Sequence, residues 1–342
     1  MKKNMYLCTF LITIHGWRMC NKTKNHRIQI LRAFAIIAVV MIHTSPSAAG
    51  QVIFRPFINF GVATFLFLSG YLTKIDNNDW MGFYKKRIIR VFIPYVIWTT
   101  IYCILRKYWT PQEFLYRFLT AKAAAPLYYI FVYIQFVLLT PFLGKLAKSR
   151  FQWVGWLIAP IAVLVFKYYW LITGTKVPHL MSLFWDVSCL GWFIYYYLGL
   201  MLGNGIIKKN FVFTKLFYLY AVSIVINMVE SYWWLKMGET NCGTQLKLSS
   251  FVTSTIFVLI AYTYIRSDKY SIDNSFVRMI GDYSFGIYLC HIMFMMFLSH
   301  VPYYKDLPFL INSSIVLLVS LGFVYIGHRV LGPKFSRWLG LV

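Results

Sequence analysis

The stretch Ile30-Leu-Arg-Ala-Phe-Ala-Ile-Ile-Ala-Val-Val-Met-Ile-His-Thr44 is almost entirely apolar, yet it carries Arg32 near its start and His43 near its end. These two residues are eleven positions apart. On an α-helix their directions would therefore differ by only about 20°, and about 16 Å would separate them along the axis. Ionisable side chains are costly inside hydrocarbon, and they usually mark a buried site or a water-filled path. The pattern predicts a helix with one polar face.

The composition predicts that this helix crosses a membrane. Hydrophobic residues make up 59% of the 342 residues and charged residues only 13%, whereas a soluble globular domain carries about 25% charged residues. The mean hydropathy is +0.61, and no polar stretch is long enough to form a soluble domain. We therefore expect an all-α, polytopic integral membrane protein whose chemistry is built from its spans and short loops.

The formal net charge of +24 resembles that of a nucleic-acid-binding protein. The basic residues, however, form short clusters between apolar runs, where anionic lipid headgroups and insertion topology explain them. We therefore expect the lipid bilayer, and no nucleic acid, as a partner. The six cysteines have no C-x-x-C spacing, so we expect neither a disulfide framework nor a metal site.

Ten segments have the length and hydropathy of membrane spans. They lie at 29–46, 55–74, 91–107, 126–144, 152–170, 184–203, 214–234, 248–265, 281–300 and 309–329. With the N-terminus in the cytoplasm, 24 of the 34 Lys and Arg residues fall on the cytoplasmic side and 10 on the outer side, as the positive-inside rule prefers. We predict that both termini are cytoplasmic, with Arg32 near the inner surface and His43 in the outer half of the first span.

Residues 1–28 form a basic extension ahead of these spans. Its apolar run, 5–15, is shorter than the roughly 20 residues that a span needs, and no small-x-small cleavage site follows it. The extension either lies at the membrane interface or reflects a translation start at Met19. The membrane domain is predicted at 29–335.

A cluster of basic residues precedes the third span, within Phe83-Tyr-Lys-Lys-Arg-Ile-Ile-Arg-Val-Phe-Ile-Pro-Tyr95. On a helix, Arg87 and Arg90 share a face, and Lys86 lies one turn before Arg90. Guanidinium groups bind phosphate bidentately. The cluster thus indicates a site for a phosphorylated cofactor, and the alternative is a positive-inside flank without a ligand.

The second span contains the small residues Gly61, Ala63, Ser69 and Gly70. Small residues let another helix, or a slender ligand, come close to the backbone. Helix packing is the simpler interpretation.

Four further polar residues belong to later spans. Tyr288 and His291 lie one turn apart in the ninth span, and His291 is either a hydrogen-bonded structural histidine or an orienting group at the depth of His43. Asp186 and Glu230 lie near the predicted outer ends of the sixth and seventh spans. Each either orients an acceptor hydroxyl or pairs with a nearby lysine.

Taken in order, these motifs resemble the signature of the membrane acyltransferase 3 family. The resemblance rests on Arg32-x10-His43, Leu68-Ser-Gly-Tyr71 and Arg87-x-x-Arg90 before Pro94-Tyr95. Three later segments, 126–141, 192–199 and 284–291, also fit the family, and the similarity extends over about residues 27–335. Within the family the chain looks most similar to short members associated with surface polysaccharides, the IcaC-like subgroup.

The resemblance implies a ten-helix enzyme of the bacterial cytoplasmic membrane. Such an enzyme takes an acyl group, usually acetyl, from cytoplasmic acyl-CoA and passes it to a cell-surface glycan or its lipid-linked precursor. By the same resemblance His43 is catalytic, Arg32 supports the acyl-CoA site, and Arg87 and Arg90 bind the CoA phosphates. The further residues that we assign to the cofactor site are Lys86, Ser69 and Tyr71.

Many relatives also carry an extracytoplasmic esterase-like domain, whereas this chain stops soon after Trp338. We expect either the membrane domain alone or a polysaccharide biosynthesis or export protein to handle the acceptor. The intrinsic pKa of histidine suits His43 to act as a general base, or His43 accepts the acyl group covalently. The competing hypothesis is a non-enzymatic polysaccharide exporter. A structural or sensory membrane protein would not need the Arg32 and His43 pair.

Overall fold

The computed structural model describes residues 25–44, 47–267, 272 and 274–341. Most of the predicted extension 1–28 lies outside the described residues. The described part of the chain folds into helices and contains no β-strand. Its α-helices are α1 (His26–His43), α2 (Ala48–Ile58), α3 (Phe60–Tyr71), α4 (Trp80–Leu105), α5 (Pro111–Thr120), α6 (Tyr128–Lys148), α7 (Val154–Val163), α8 (Tyr169–Thr173), α9 (His179–Val187), α10 (Phe193–Gly203), α11 (Phe213–Lys236), α12 (Leu248–Arg266), α13 (Ser275–Asp282), α14 (Ser284–Leu298) and α15 (Phe309–Trp338).

Eight helical segments of the described chain are long and apolar enough to cross a membrane, and α13 with α14 forms a ninth that is bent by 76°. The eight are His26–His43, Ala48–Tyr71, Trp80–Leu105, Ala125–Lys148, Val154–Thr173, Phe213–Lys236, Leu248–Arg266 and Phe309–Trp338. The prediction of an all-α, polytopic membrane protein is therefore confirmed. The cytoplasmic location of both termini remains a prediction.

Two spans begin earlier than the sequence pattern indicated. The second begins at Ala48 instead of residue 55, and Pro56 lies inside α2 without ending it. The third begins at Trp80 instead of residue 91, because the Asp79 carboxylate caps the helix and accepts a hydrogen bond of 2.8 Å from the Gly82 amide. The basic cluster at 85–90 consequently belongs to helix α4.

The predicted sixth span, 184–203, is not one continuous helix. Helix α9 ends at Val187, and only the shorter apolar helical segment Leu190–Gly203 follows. The Gln135 side chain of α6 bonds to the backbone at this break: it donates to the Val187 carbonyl (2.6 Å) and accepts from the Cys189 amide (3.1 Å). It thereby satisfies backbone groups that a helix would have paired.

The predicted ninth span, 281–300, is bent between α13 and α14. Helix α13 presses directly on α1, because a Cβ atom on Gly281 would lie 1.9 Å from the Gln29 carbonyl oxygen. This close approach fixes α13 against the start of α1, while α14 turns away and runs along the bundle.

Close packing of small residues holds α3 in the bundle. A Cβ atom on Gly70 would lie 2.2 Å from the Tyr196 carbonyl oxygen, and one on Gly199 would lie 2.2 Å from the Phe67 carbonyl oxygen. The backbones of α3 and α10 are therefore in contact. On the other side of α3, a Cβ on Gly61 would lie 3.0 Å from the carbonyl oxygen of Ala35. Gly61 and Gly70 thus allow close helix packing.

Helix α1 lies among α2, α3, α12, α13, α14 and α15. Its beginning is capped by the Asn25 side chain, which accepts a hydrogen bond of 3.0 Å from the Arg27 amide. At its end, the Thr44 hydroxyl is 2.6 Å from the Ser313 hydroxyl of α15. The last residue of α1, His43, is therefore held at a defined position in the bundle.

Candidate active site

His43 and His291 form a pair inside the bundle. Their ring centroids are 5.2 Å apart, although 247 residues separate them in the chain. His291 is completely buried in α14. Its Nδ1 lies 2.8 Å from the Tyr288 carbonyl oxygen and 3.1 Å from that of Ile287, and carbonyls only accept hydrogen bonds. Nδ1 therefore carries the proton, which leaves Nε2 as a buried acceptor with no partner among the described residues.

His43 is partly accessible, whereas the residue before it, Ile42, is buried. Among the described residues, neither ring nitrogen of His43 forms a hydrogen bond. Tyr288 stands on the other side of His291, with ring centroids 6.1 Å apart, and its hydroxyl donates a hydrogen bond to the Pro126 carbonyl.

A large basic cavity lies at the beginning of α1, the end predicted to face the cytoplasm; we call it the inner cavity. Its volume is about 790 Å³. Five cationic side chains and a single carboxylate contribute to its wall. Its lining residues are Arg32, Gly82, Lys85, Lys86, Ile89, Arg90, Ile93, Asp282, Arg337 and Trp338.

A smaller cavity of about 160 Å³ lies between the inner cavity and the helix that carries His291; we call it the connecting cavity. The two cavities share Arg32 and Arg90. The lining of the connecting cavity also includes Ser69 and Tyr288, and Tyr288 lies one helical turn before His291. The inner and the connecting cavity together thus extend from the beginning of α1 to the neighbourhood of the histidine pair.

A third cavity, of about 600 Å³, lies at the opposite end of α1; we call it the outer cavity. Ile42 and Arg55 contribute to its wall, so it lies directly beside the end of α1 that carries His43. Most of its charged lining is basic. Its polar lining residues are Arg55, Arg117, Thr120, Lys122, Tyr128, Lys167, Asp186, Asn241, Thr244 and Gln245.

Five of the residues predicted for the site line the inner or the connecting cavity: Arg32, Lys86, Arg90, Ser69 and Tyr288. Arg32 and His43 both face α14, because Arg32 shares the connecting cavity with Tyr288 while His43 contacts His291. The structure thus brings the predicted inner residues together around the beginning of α1.

Arg87 and Tyr71 are not part of these two linings. The Arg87 guanidinium lies over the Phe83 ring, 4.9 Å from its centroid. The Tyr71 ring packs against Phe67 and Tyr262, with centroids 5.9 and 6.1 Å away. Both side chains pack against aromatic rings and do not line either cavity.

The two predicted outer carboxylates differ in their surroundings. Asp186 lines the outer cavity and forms an ion pair of 3.2 Å with Lys122. Glu230 accepts hydrogen bonds from the Tyr168 hydroxyl and from the Ser249 amide, the latter at 2.9 Å. Because Ser249 lies in the first turn of α12, Glu230 caps that helix.

Lys247 is another basic residue on this side of the bundle, and it is completely buried. Its ammonium group donates hydrogen bonds to the carbonyls of Asn227 (3.3 Å) and Cys242 (3.1 Å) and to the Ser231 hydroxyl. Burial lowers the pKa of Lys247 to about 8. This lysine holds α11 against the loop before α12.

The basic lining of the outer cavity is a part of the site that sequence reasoning missed. Arg55, Arg117, Lys122 and Lys167 all belong to the ten bases that the predicted topology places on the outer side. Since the positive-inside rule disfavours bases there, their presence on that side was a signal that could have identified them. Their convergence on one cavity is visible only in the folded chain.

These features define a class: a polytopic membrane protein in which a histidine pair lies between two basic cavities at opposite ends of one helix. Its particular family follows from sequence comparison. The acyltransferase domain of the acyltransferase 3 family matches residues 25–329, and the chain therefore belongs to this family of membrane acyltransferases. No curated protein and no solved structure matches it.

Proposed function

We propose that this membrane acyltransferase transfers an acetyl group from cytoplasmic acetyl-CoA to a hydroxyl of a cell-surface polysaccharide, or of its lipid-linked precursor, in the bacterial cytoplasmic membrane. The observation that carries the proposal is the position of His43 and His291 between the inner and the outer cavity. A donor in one cavity and an acceptor in the other would both reach the same imidazole.

The inner cavity suits the donor. Coenzyme A carries a 3′-phosphate and a pyrophosphate, and guanidinium and ammonium groups are the usual partners of phosphate oxygens. Arg90, Lys86 and Arg337 line the cavity where these groups would bind. Its volume of about 790 Å³ falls in the range of small-molecule sites, about 300–1,000 Å³.

The thioester would reach the histidines through the connecting cavity. The pantetheine arm of CoA is slender, and this cavity is small, at about 160 Å³. The arm would pass Arg32 and Ser69 and bring the thioester toward Tyr288. Its direction is along α1, in which Arg32 and His43 lie about 16 Å apart.

The transfer itself requires a base. The acceptor hydroxyl attacks the thioester carbonyl, His43 removes the hydroxyl proton, the C–S bond breaks, and the proton passes to the departing thiolate. In the two-step alternative, a His43 nitrogen first takes the acetyl group from the thioester and then passes it to the hydroxyl. Both routes need His43 neutral at the start, and its free ring nitrogens are compatible with that state.

His291 would act as a positioning residue. Its Nδ1 is fixed by backbone carbonyls, so its Nε2 presents a hydrogen-bond acceptor beside His43. An acceptor at that place favours the tautomer of His43 whose N–H points to His291, and the other nitrogen of His43 is then the base. A polysaccharide biosynthesis or export protein would supply the acceptor. Membership in an acyltransferase family favours this enzyme over a non-enzymatic exporter.

The test uses the purified protein in lipid vesicles with radiolabelled acetyl-CoA and a membrane extract that contains the glycans of the producing cell. We expect label in the glycan fraction, and we expect His43→Ala to abolish the labelling while binding of acetyl-CoA persists. The control is His300→Ala, since His300 is exposed and, among the described residues, bonds only to the Met296 carbonyl. Equal labelling by the parent protein and His43→Ala would contradict the proposal.

A further inference from the structure

The outer cavity contains an excess of positive charge. Four cationic side chains line it, from Arg55, Arg117, Lys122 and Lys167, and Asp186 is the single carboxylate of the lining. Asp186 is already paired with Lys122 at 3.2 Å. Three positive charges therefore face the cavity without a compensating negative charge in its wall.

Arg55 is the most informative of these residues. It is only 9% exposed, and its guanidinium forms no hydrogen bond or ion pair with any described residue. A buried cation without a partner is strongly disfavoured. The Arg55 side chain is nevertheless held in place, because a Cβ on Gly243 would lie 2.5 Å from its Cγ atom. Because Gly243 has no side chain, Arg55 fits beside it in a fixed position. No described residue supplies its counter-ion.

Arg117 approaches the same cavity from helix α5. Its guanidinium lies 4.4 Å from the centroid of the Tyr108 ring and donates a hydrogen bond of 3.5 Å to the Lys122 carbonyl. Its Nε is buried and has no partner among the described residues. Two guanidinium groups with free donors thus converge on one space from different helices.

The position of these bases is unusual for a membrane protein. The positive-inside rule predicts few Lys and Arg residues on the outer side, yet four of the ten bases assigned to that side line this single cavity. Insertion topology explains the bases of the inner cavity, but it does not explain these. A ligand that requires positive charge does explain them.

We propose that the outer cavity is the acceptor site and that Arg55 and Arg117 bind an oxyanion, phosphate or carboxylate, of the acceptor glycan. The acceptor is accordingly an anionic saccharide, with its charge near the hydroxyl that becomes acylated. Guanidinium groups match such oxyanions in geometry and charge. The aromatic side chains of Trp185, Trp192 and Tyr128 in the same wall offer apolar faces for the sugar ring. This inference rests on the proposed function and names its substrate class.

The oxyanion has two possible sources, either an acidic group of the saccharide itself or the diphosphate of a lipid-linked precursor. Membranes from cells that produce the full-length protein are supplied with radiolabelled acetyl-CoA, and the labelled products are separated by solvent extraction and anion exchange. Label in the water-soluble, retained fraction indicates an acidic saccharide. Label in the lipid extract that anion exchange retains indicates the diphosphate. Label in neutral glycan overturns the inference and leaves the proposed function intact, whereas absence of any labelled glycan contradicts the proposed function itself.

The second part of the experiment uses the variant Arg55→Gln. Loss of a charge-assisted hydrogen bond should reduce labelling of the anionic product by about tenfold or more, whereas acetyl-CoA binding stays at the parent level. Arg117→Gln, in a less buried position, provides the same test if Arg55→Gln does not fold. The matched control is Lys236→Gln, another base of the outer side, whose ammonium lies over the Tyr232 ring at 5.3 Å. Unchanged labelling in both arginine variants would overturn the role of these residues.

Discussion

The inner and the outer cavity are both basic, but their charges carry different information. The inner cavity lies at the end of α1 that is predicted to face the cytoplasm, where positive-inside insertion places Lys and Arg in any case. The outer cavity lies at the opposite end, where the predicted topology disfavours such residues, and one of them, Arg55, is buried without a counter-ion among the described residues. Basic residues on the unexpected side are therefore the stronger indication of a ligand. In a membrane enzyme, charge must be judged against topology before it is interpreted as a binding site.

The largest effect should come from His43, the residue that both the donor and the acceptor are proposed to reach. His43→Ala removes the base or acyl carrier, and we expect transfer to fall by about 100-fold or more. Acetyl-CoA binding to the inner cavity should remain. Single-turnover labelling measures the transfer, and equilibrium binding measures the donor. A variant that loses binding and transfer together would indicate a structural role for His43.

The next largest effect should distinguish Arg90 from Arg87, two arginines of helix α4. Arg90 lines both the inner and the connecting cavity, whereas Arg87 lies over Phe83. Arg90→Gln should raise KM for acetyl-CoA about tenfold or more, as expected for a lost charge-assisted hydrogen bond. Arg87→Gln should change it less. Steady-state kinetics with acetyl-CoA as the varied substrate compares the two, and a larger effect at Arg87 would show that the donor binds on another face of α4.

Asp186→Asn tests the balance of charge in the outer cavity. Asp186 and Lys122 are both partly exposed, and such an ion pair contributes only about 0–1 kcal/mol. If Asp186 serves only as the partner of Lys122, transfer should change by less than about threefold. A loss of about 100-fold would instead assign Asp186 to the orientation of the acceptor hydroxyl. Acceptor-dependent transfer rates distinguish the two results.

The smallest effect concerns Lys247, an outer-side base that is structural. Its pKa in the folded protein is about 8, below the ordinary value of 10.5, because of burial. Between these two values the unfolded chain binds more protons, so this group makes the folded protein more stable as the pH rises from about 8 toward 10.5, and it contributes no change below that window.

The corresponding measurement compares thermal unfolding of the parent protein and Lys247→Met in detergent. From pH 8 to 9.5 the parent should gain stability relative to the variant, by at most about 1.4 kcal/mol per pH unit. Parallel curves for the two proteins would mean that Lys247 is not neutralised by burial. Transfer at pH 7 should be similar in both proteins, in contrast to the effect of Arg55→Gln.

Much of the fold could be predicted because the bilayer restricts the chain to helices. Hydropathy identified every segment that forms a span in the described residues, and the small residues Gly61 and Gly70 correctly indicated close helix packing. The breaks between helices were harder to predict from the sequence. The end of α9 depends on Gln135, a residue of another helix that bonds to Val187 and Cys189.

The site was predictable where its residues lie on one helix. Arg32 and His43 share a face of α1 because of helical periodicity alone, and Lys86 and Arg90 follow from the same argument on α4. The pairing of His43 with His291 depends on how α14 packs against α1. The outer cavity depends on loops and on helix α5. Helical periodicity does not predict the distance between Arg117 and Arg55, because these residues lie on different helices.

The most direct test determines on which side of the membrane the donor is used and on which side the product is found. Vesicles with the protein in one orientation receive radiolabelled acetyl-CoA on the side of the inner cavity, and an impermeant esterase is added to either side in turn. We predict that labelled acetyl groups on glycan are removed only by esterase on the opposite side, and that His43→Ala yields no such label. Product exposed on the same side as acetyl-CoA would contradict transfer across the membrane through His43.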